Sequence, residues 1–115
     1  MSYKTINPVS KDAISPKEGP EKIFRRTLAF NKEVMLCNFD MKQGAKVPLH
    51  HHVHTQIGYI IRGKVQFITE DGHFEVSAGH SYVFDGNQKH GANILEDTEL
   101  IEVFAPCRNE YKIEE

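Results

Sequence analysis

Gly44-Ala45-Lys46-Val47-Pro48-Leu49-His50-His51-His52-Val53-His54-Thr55-Gln56 gathers four of the chain's seven histidines into five positions. Alternate side chains of an extended strand share a face, so the stretch predicts His50, His52, His54 and Gln56 on one side of a strand. Imidazole is the commonest biological ligand for zinc, iron, nickel and copper, and two imidazoles one residue apart on a strand reach one ion. A turn containing Gly44 and Pro48 precedes the run, and the β-rich Ile57-Gly58-Tyr59-Ile60-Ile61 follows it. That internal setting favours a built site over a tag or a solvated basic patch.

Working outward, the flanks read as strands and turns with no helical period. Upstream, residues 23–30 and 33–40 form two β-like runs around an Asn31-Lys32 turn. Downstream, a strand over 56–62 ends at a Gly63 turn, and a second covers 65–69. Asp71-Gly72 is the strongest hairpin signal and leads into 73–76. Turns at Ala78-Gly79 and Asp85-Gly86-Asn87 flank 81–84, and strands over 90–95 and 100–104 complete the set. Eight or more short strands with turn signals between them predict a compact antiparallel barrel or sandwich. Three of the five prolines, Pro8, Pro16 and Pro20, fall early, so 1–22 reads as an extended arm able to pair with a neighbour. Residues 23–112 read as the domain and 113–115 as a short tail.

A chain of 115 residues supports one core and is too short for two. Fourteen basic against sixteen acidic side chains give a net charge of -2, which offers no electrostatic grip on nucleic acid or an anionic membrane. An anionic ligand would be held by a few placed charges. Cys37 and Cys107 form no CxxC and no disulfide framework, which fits a reducing compartment and leaves a single bridge open. No apolar run approaches the ~20 residues of a membrane span, and the first residues lack a signal peptide's apolar segment. The expectation is a cytoplasmic protein.

Two spacings carry a family resemblance. Gly44, five residues, His50-x-His52, three residues, Gln56, six residues, Gly63 resembles the first cupin motif, with Gln56 where most cupins carry Glu. Gly79, five residues, Asp85-Gly86-Asn87, two residues, His90 resembles the second, with Asp85 and Asn87 in place of its Pro and Gly. The resemblance implies an all-β jelly-roll barrel of two antiparallel sheets. It also implies one divalent transition metal (Zn, Ni, Fe, Mn or Cu) held by His50, His52, Gln56 and His90. Ligands from such distant segments meet only if the sheet curls on itself. His54 shares the ligand face as a fifth ligand, a substrate-facing group or lining. Gly58, of the same parity as Gln56, leaves room beside the metal or marks a bulge. His51, His73 and His80 read as surface or structural residues. An amide in place of a carboxylate leaves the ion's charge whole, which favours Lewis-acid work or anion binding over 2-His-1-carboxylate oxygenase chemistry.

His90-Gly91-Ala92 followed by Ile101-Glu102-Val103-Phe104-Ala105-Pro106-x-Arg108-x-x-Tyr111 resembles the small pectin-degradation cupins of the KdgF type. Those proteins share H-x-H-x-H-x-Q, end in D-V-F-S-P-x-R, and convert cyclic 4,5-unsaturated monouronates to open-chain keto acids. Their functional Asp, Phe and Arg fall here on Glu102, Phe104 and Arg108, the first with one methylene added. Leu100, Glu102 and Phe104 share a strand face, where a carboxylate between apolar groups is costly without a partner or a task, unless that face is a solvated edge. Arg108 reads as a bidentate uronate anchor or an ordinary surface arginine, and Phe104 as platform or core. The expected partner is a small anionic sugar or sugar acid, and the expected assembly a homodimer. A non-catalytic sugar-acid binder and a cupin oxygenase on an unrelated substrate are the alternatives, since the fold hosts all three.

Overall fold

Two strands far longer than the sequence pattern predicts organise the molecule. The computed structural model describes residues 7–112; the first six residues of the predicted arm and the 113–115 tail lie outside the described residues. In chain order the strands are β1 (Lys17–Glu18), β2 (Ile23–Phe30), β3 (Met35–Met41), β4 (Lys46–His50), β5 (Thr55–Thr69), β6 (Gly72–Ser77), β7 (Ser81–Phe84) and β8 (His90–Ala105). Short 3-10 turns at Lys11–Ala13 and Asn109–Tyr111 are the only helical pieces among the described residues.

β5 and β8 pair antiparallel along almost their full length, from Thr55–Ala105 to Thr69–His90, and both bend midway. Past the bend, β8 exchanges its neighbour β3 for β4, while β5 exchanges β7 for β6. One layer is therefore β1-β2-β3-β8-β5-β7 and the other β4-β8-β5-β6, and the two expected sheets are continuous through the bends. The chain is an all-β jelly roll.

Gly63 is thus not a turn that ends a strand, and 90–95 and 100–104 are halves of one strand. The register slips at 60/62, 62/64 and 64/65, as bulges that sharpen a bend do. Gly63 has φ +102, and a Cβ there would fall 2.3 Å from Thr98 Oγ1. Only glycine accepts both the left-handed backbone and the press of the facing strand.

The interior between the layers is filled by Ile23, Met35, Phe39, Ile60, Val65, Phe67, Phe84, Ile94, Leu100 and Phe104, all buried. Alternation delivers them: Leu100, Glu102 and Phe104 face inward, while Ile101 and Val103 face out. The first described segment lies against the outer face of the larger layer. Lys11 Nζ donates to Glu99 Oε2 at 2.7 Å, and Arg26 Nε donates to the Ile14 carbonyl at 3.0 Å. Cys37 and Cys107 are buried free thiols.

Candidate functional site

The histidine run does not form one strand. β4 stops at His50, and His52 and His54 lie in the loop before β5, so strand alternation does not bring these rings together. The loop is pinned from the turn ahead of β8, where Asn87, itself at φ +65, donates its N–H to the His52 carbonyl at 2.6 Å. His50 and His90 then stand directly opposite each other across β4 and β8. Ring centroids are 4.5 Å apart for His50–His90, 5.1 Å for His52–His90 and 5.6 Å for His50–His52. One nitrogen from each of the three lies within 4.8 Å of the others, which positions His50, His52 and His90 for a metal ion.

The hydrogen bonds around the triad show that an ion suits it. His50 Nδ1 lies 2.9 Å from the Pro48 carbonyl and His90 Nδ1 2.8 Å from the Gln88 carbonyl. A carbonyl only accepts, so each Nδ1 carries a proton, and in the neutral form of such a ring the lone pair is on Nε2. Gln56 Oε1 sits 2.8 Å from His52 Nε2 and 3.2 Å from His90 Nε2. Phe84 stacks on His90 at 4.5 Å with a 5° interplanar angle and fixes that ring. Burial, the Arg108 charge and the neighbouring His90 push the His52 imidazole down to about 4; burial likewise lowers His90. Imidazoles and a carbonyl oxygen converging in this way offer a set of donors that suits a divalent cation.

Below the triad, Gln56 turns its amide nitrogen away from the histidines and donates to Glu102 Oε2 at 3.0 Å. Tyr82 Oη donates to the same oxygen at 2.6 Å. Glu102 is buried, and its carboxyl is pushed up by desolvation, which the Tyr82 and Gln56 hydrogen bonds and the Arg108 charge offset only in part. Among the described residues no cation lies in a salt bridge with it, so nothing there offsets burial as an ion pair would. His50, Gln56, His90, Glu102, Phe104, Arg108 and Tyr111 line one cavity at this end of the barrel.

Arg108 is not an ordinary surface arginine. Its side chain is 14% exposed, with the guanidinium over the Tyr111 ring at 4.1 Å and the Phe104 ring at 5.2 Å. Nε donates to Glu110 at 3.0 Å. Phe104 is both core and cavity wall.

A family profile described as Cupin domain matches residues 38–104, more than half of the chain. The chain belongs to the cupin family. Among solved structures this cupin is similar to KdgF from Halomonas sp., at 28% identity and TM-score 0.83, over 89% of this chain and 96% of that one. An RmlC-like cupin from Shewanella frigidimarina superposes with TM-score 0.84 at 24% identity, covering 96% of both chains, which speaks to the fold alone. H2HPP isomerase of Bacillus subtilis is 31% identical over 78 residues, or 66% of this chain. This cupin spans only 33% of that relative's length.

Of the residues singled out from sequence, the structure brings His50, His52, His90, Gln56, Glu102, Phe104 and Arg108 to one end of the barrel. His54 is buried with its ring 5.4 Å from His52, but it stands outside the three-nitrogen cluster, and its Nδ1 has no hydrogen-bond partner among the described residues. The room left by Gly58 is filled by the Tyr82 ring rather than kept open beside the histidines: a Cβ at Gly58 would meet Tyr82 Oη at 2.3 Å. Tyr82 itself escaped the sequence reading. Its one local signal is the alternation of Tyr82 and Phe84 on β7, which places it inward without naming a partner.

Proposed function

We propose that this cupin binds one divalent transition metal through His50, His52, His90 and Gln56 Oε1 and converts 4,5-unsaturated monouronates to linear keto acids. The observation that carries the proposal is Glu102: a buried carboxyl, hydrogen-bonded among the described residues only by neutral groups, in a cavity shared with Arg108 and with His50 and His90 of the triad. The likeness to the Halomonas KdgF and the E-V-F-x-P-x-R segment support the substrate class.

A bound divalent ion supplies Lewis-acid polarisation of substrate oxygens. Arg108, stacked and so held in one orientation, pairs its two terminal nitrogens with the uronate carboxylate. Glu102, whose carboxyl burial pushes up, delivers a proton to the unsaturated carbon of the enol ether. Water adds to the carbon bearing the ring oxygen, and its surplus proton restores Glu102. The resulting hemiketal breaks its ring C–O bond to leave a ketone, the hydroxyl proton passing to the departing ring oxygen. Phe104 closes one wall and keeps bulk water from the reacting carbons.

Loss of the conjugated ultraviolet band of lyase-generated monouronate, followed with metal-loaded protein, tests the reading. Decay faster than in buffer is expected; decay at the buffer rate, with metal content verified, removes it.

The protein acts as a homodimer in this reading, through the outer face of the larger layer and not through the arm, whose β1 pairs with β2 of the same chain. Ile57, Tyr59, Ile61 and Val83 on that face are each 43% to 54% exposed. With Val103 and Ile101 beside them they offer on the order of 400 Å² of apolar surface, near the apolar share of the about 800 Å² per partner that a stable interface takes. The four carry no charge, as suits the apolar centre of an interface between identical copies. Sedimentation should give a dimer that Ile57→Lys converts to monomer while Val34→Lys does not; a monomeric parent protein overturns this assembly. No helix among the described residues is long and apolar enough to cross a membrane, and the two free thiols support a cytoplasmic setting.

A further inference from the structure

Three strands place one row of residues across the inner face: Tyr82 of β7 and Glu102 of β8 both stand in register with Gly58 of β5. Side chains of directly opposed residues lie next to each other, so any Cβ on the middle strand would separate the outer two. Gly58 has none, and the Tyr82 ring lies across the vacated position. A Cβ built on Gly58 would fall 2.3 Å from both Tyr82 Cζ and Oη. Phe67, at 4.4 Å between centroids, and Phe84, at 5.8 Å, hold the ring in place.

The hydroxyl that crosses Gly58 ends on Glu102 Oε2 at 2.6 Å, and Gln56 Nε2 donates to that same oxygen at 3.0 Å. Glu102 Oε1 has no hydrogen bond among the described residues, and the side chain lines the cavity. A carboxylic acid whose one oxygen already accepts two hydrogen bonds carries its proton on the other. Tyr82 itself is not part of the cavity wall.

We infer that Tyr82 is a positioning residue: its hydroxyl, reaching over Gly58, locks Oε2 of Glu102 so that Oε1 is the oxygen left to exchange a proton with the cavity. The inference rests on the proposed reading of the site and adds to it the atom that transfers the proton and the pair of residues that selects it. Phenylalanine at position 82 would keep the ring and its packing but leave Oε2 held by Gln56 alone, so that the proton is less tightly confined to Oε1. Alanine at position 58 would push the ring aside and break the same bond.

On metal-loaded protein turning over lyase-generated monouronate, Tyr82→Phe is expected to lose roughly tenfold in kcat while KM and thermal midpoint stay near the parent values. In a Glu102→Gln background the same substitution is expected to cost nothing more, because Tyr82 acts only through that carboxyl. Gly58→Ala is expected to lose kcat as Tyr82→Phe does. Parent kcat in Tyr82→Phe or in Gly58→Ala, or equal losses with and without the Glu102 carboxyl, overturns the inference. A second readout needs no substrate: the infrared band of the Glu102 carboxyl, identified by its loss in Glu102→Gln, is expected to shift in Tyr82→Phe. A parent protein that leaves monouronate untouched yet shows the shift removes the proposed function and leaves the lock on Oε2 standing. An unshifted band removes the lock whatever the turnover.

Discussion

Glu99 and Glu102 stand three residues apart on β8, both buried, on opposite faces of the same layer. Outside, Glu99 accepts from Lys11, from Asn38 at 2.9 Å and from Arg62, and these partners draw its carboxyl from 4.5 down to about 2. Inside, Glu102 is met by a phenol and an amide, and burial pushes its carboxyl up. Burial alone therefore does not set the direction in which a carboxyl shifts; the charge of its partners does. Glu99 fastens the first described segment to the barrel as an anion at neutral pH. Glu102 is left without a cationic partner among the described residues, and its burial as an anion would cost stability.

The largest effect expected on the inner side comes from the triad. His90→Ala should lose bound metal by elemental analysis and abolish turnover, while the acid unfolding that depends on Glu99 stays unchanged. A stoichiometric metal retained in that variant would separate the triad from the ion.

Glu102→Gln comes next. Removing a carboxyl that burial favours as the neutral acid removes a cost that grows as pH rises above its ordinary range near 4.5. The variant should thus melt at or above the parent temperature at pH 7 while kcat falls by about two orders of magnitude. A lower melting temperature would show Glu102 to be a stabilising anion like Glu99.

Arg108→Lys should raise KM for the uronate about tenfold, since an ammonium neither forms the fork nor stacks on Tyr111 and Phe104 in the same way. An unchanged KM would take Arg108 out of anion binding.

The smallest effect belongs outside and is one of stability alone. Glu99 has a depressed folded value, so its contribution is complete above about pH 4.5 and is lost as pH falls toward about 2. Glu99→Gln should cost about 2 kcal/mol at pH 7 and almost nothing at pH 2, checked by denaturant unfolding at both values. A pH-independent cost would assign Glu99 to packing.

How far the sequence reading reached follows the same division. The clustered histidines and the neighbouring Gln56 were legible because two spacings hold them, and because His50 and His90 meet wherever β4 and β8 pair. The reason first offered for His52, alternation along a strand, does not apply, since a loop pinned by Asn87 places that ring. Gly63 between two apolar runs looks the same in sequence whether the chain reverses or bends, and the choice is made by Thr98 on a strand 35 residues away. Tyr82 was out of reach for a similar reason. Its function arises from a register shared by three strands and from a side chain that Gly58 does not have.

The central claim is that the inner carboxylate reacts and the outer one only binds. Its most direct test is kcat on unsaturated monouronate at pH 7, with equal metal loading, for Glu102→Gln and Glu99→Gln side by side. The account predicts a loss of about a hundredfold in the first and a rate near the parent in the second. Similar rates in the two variants would contradict it.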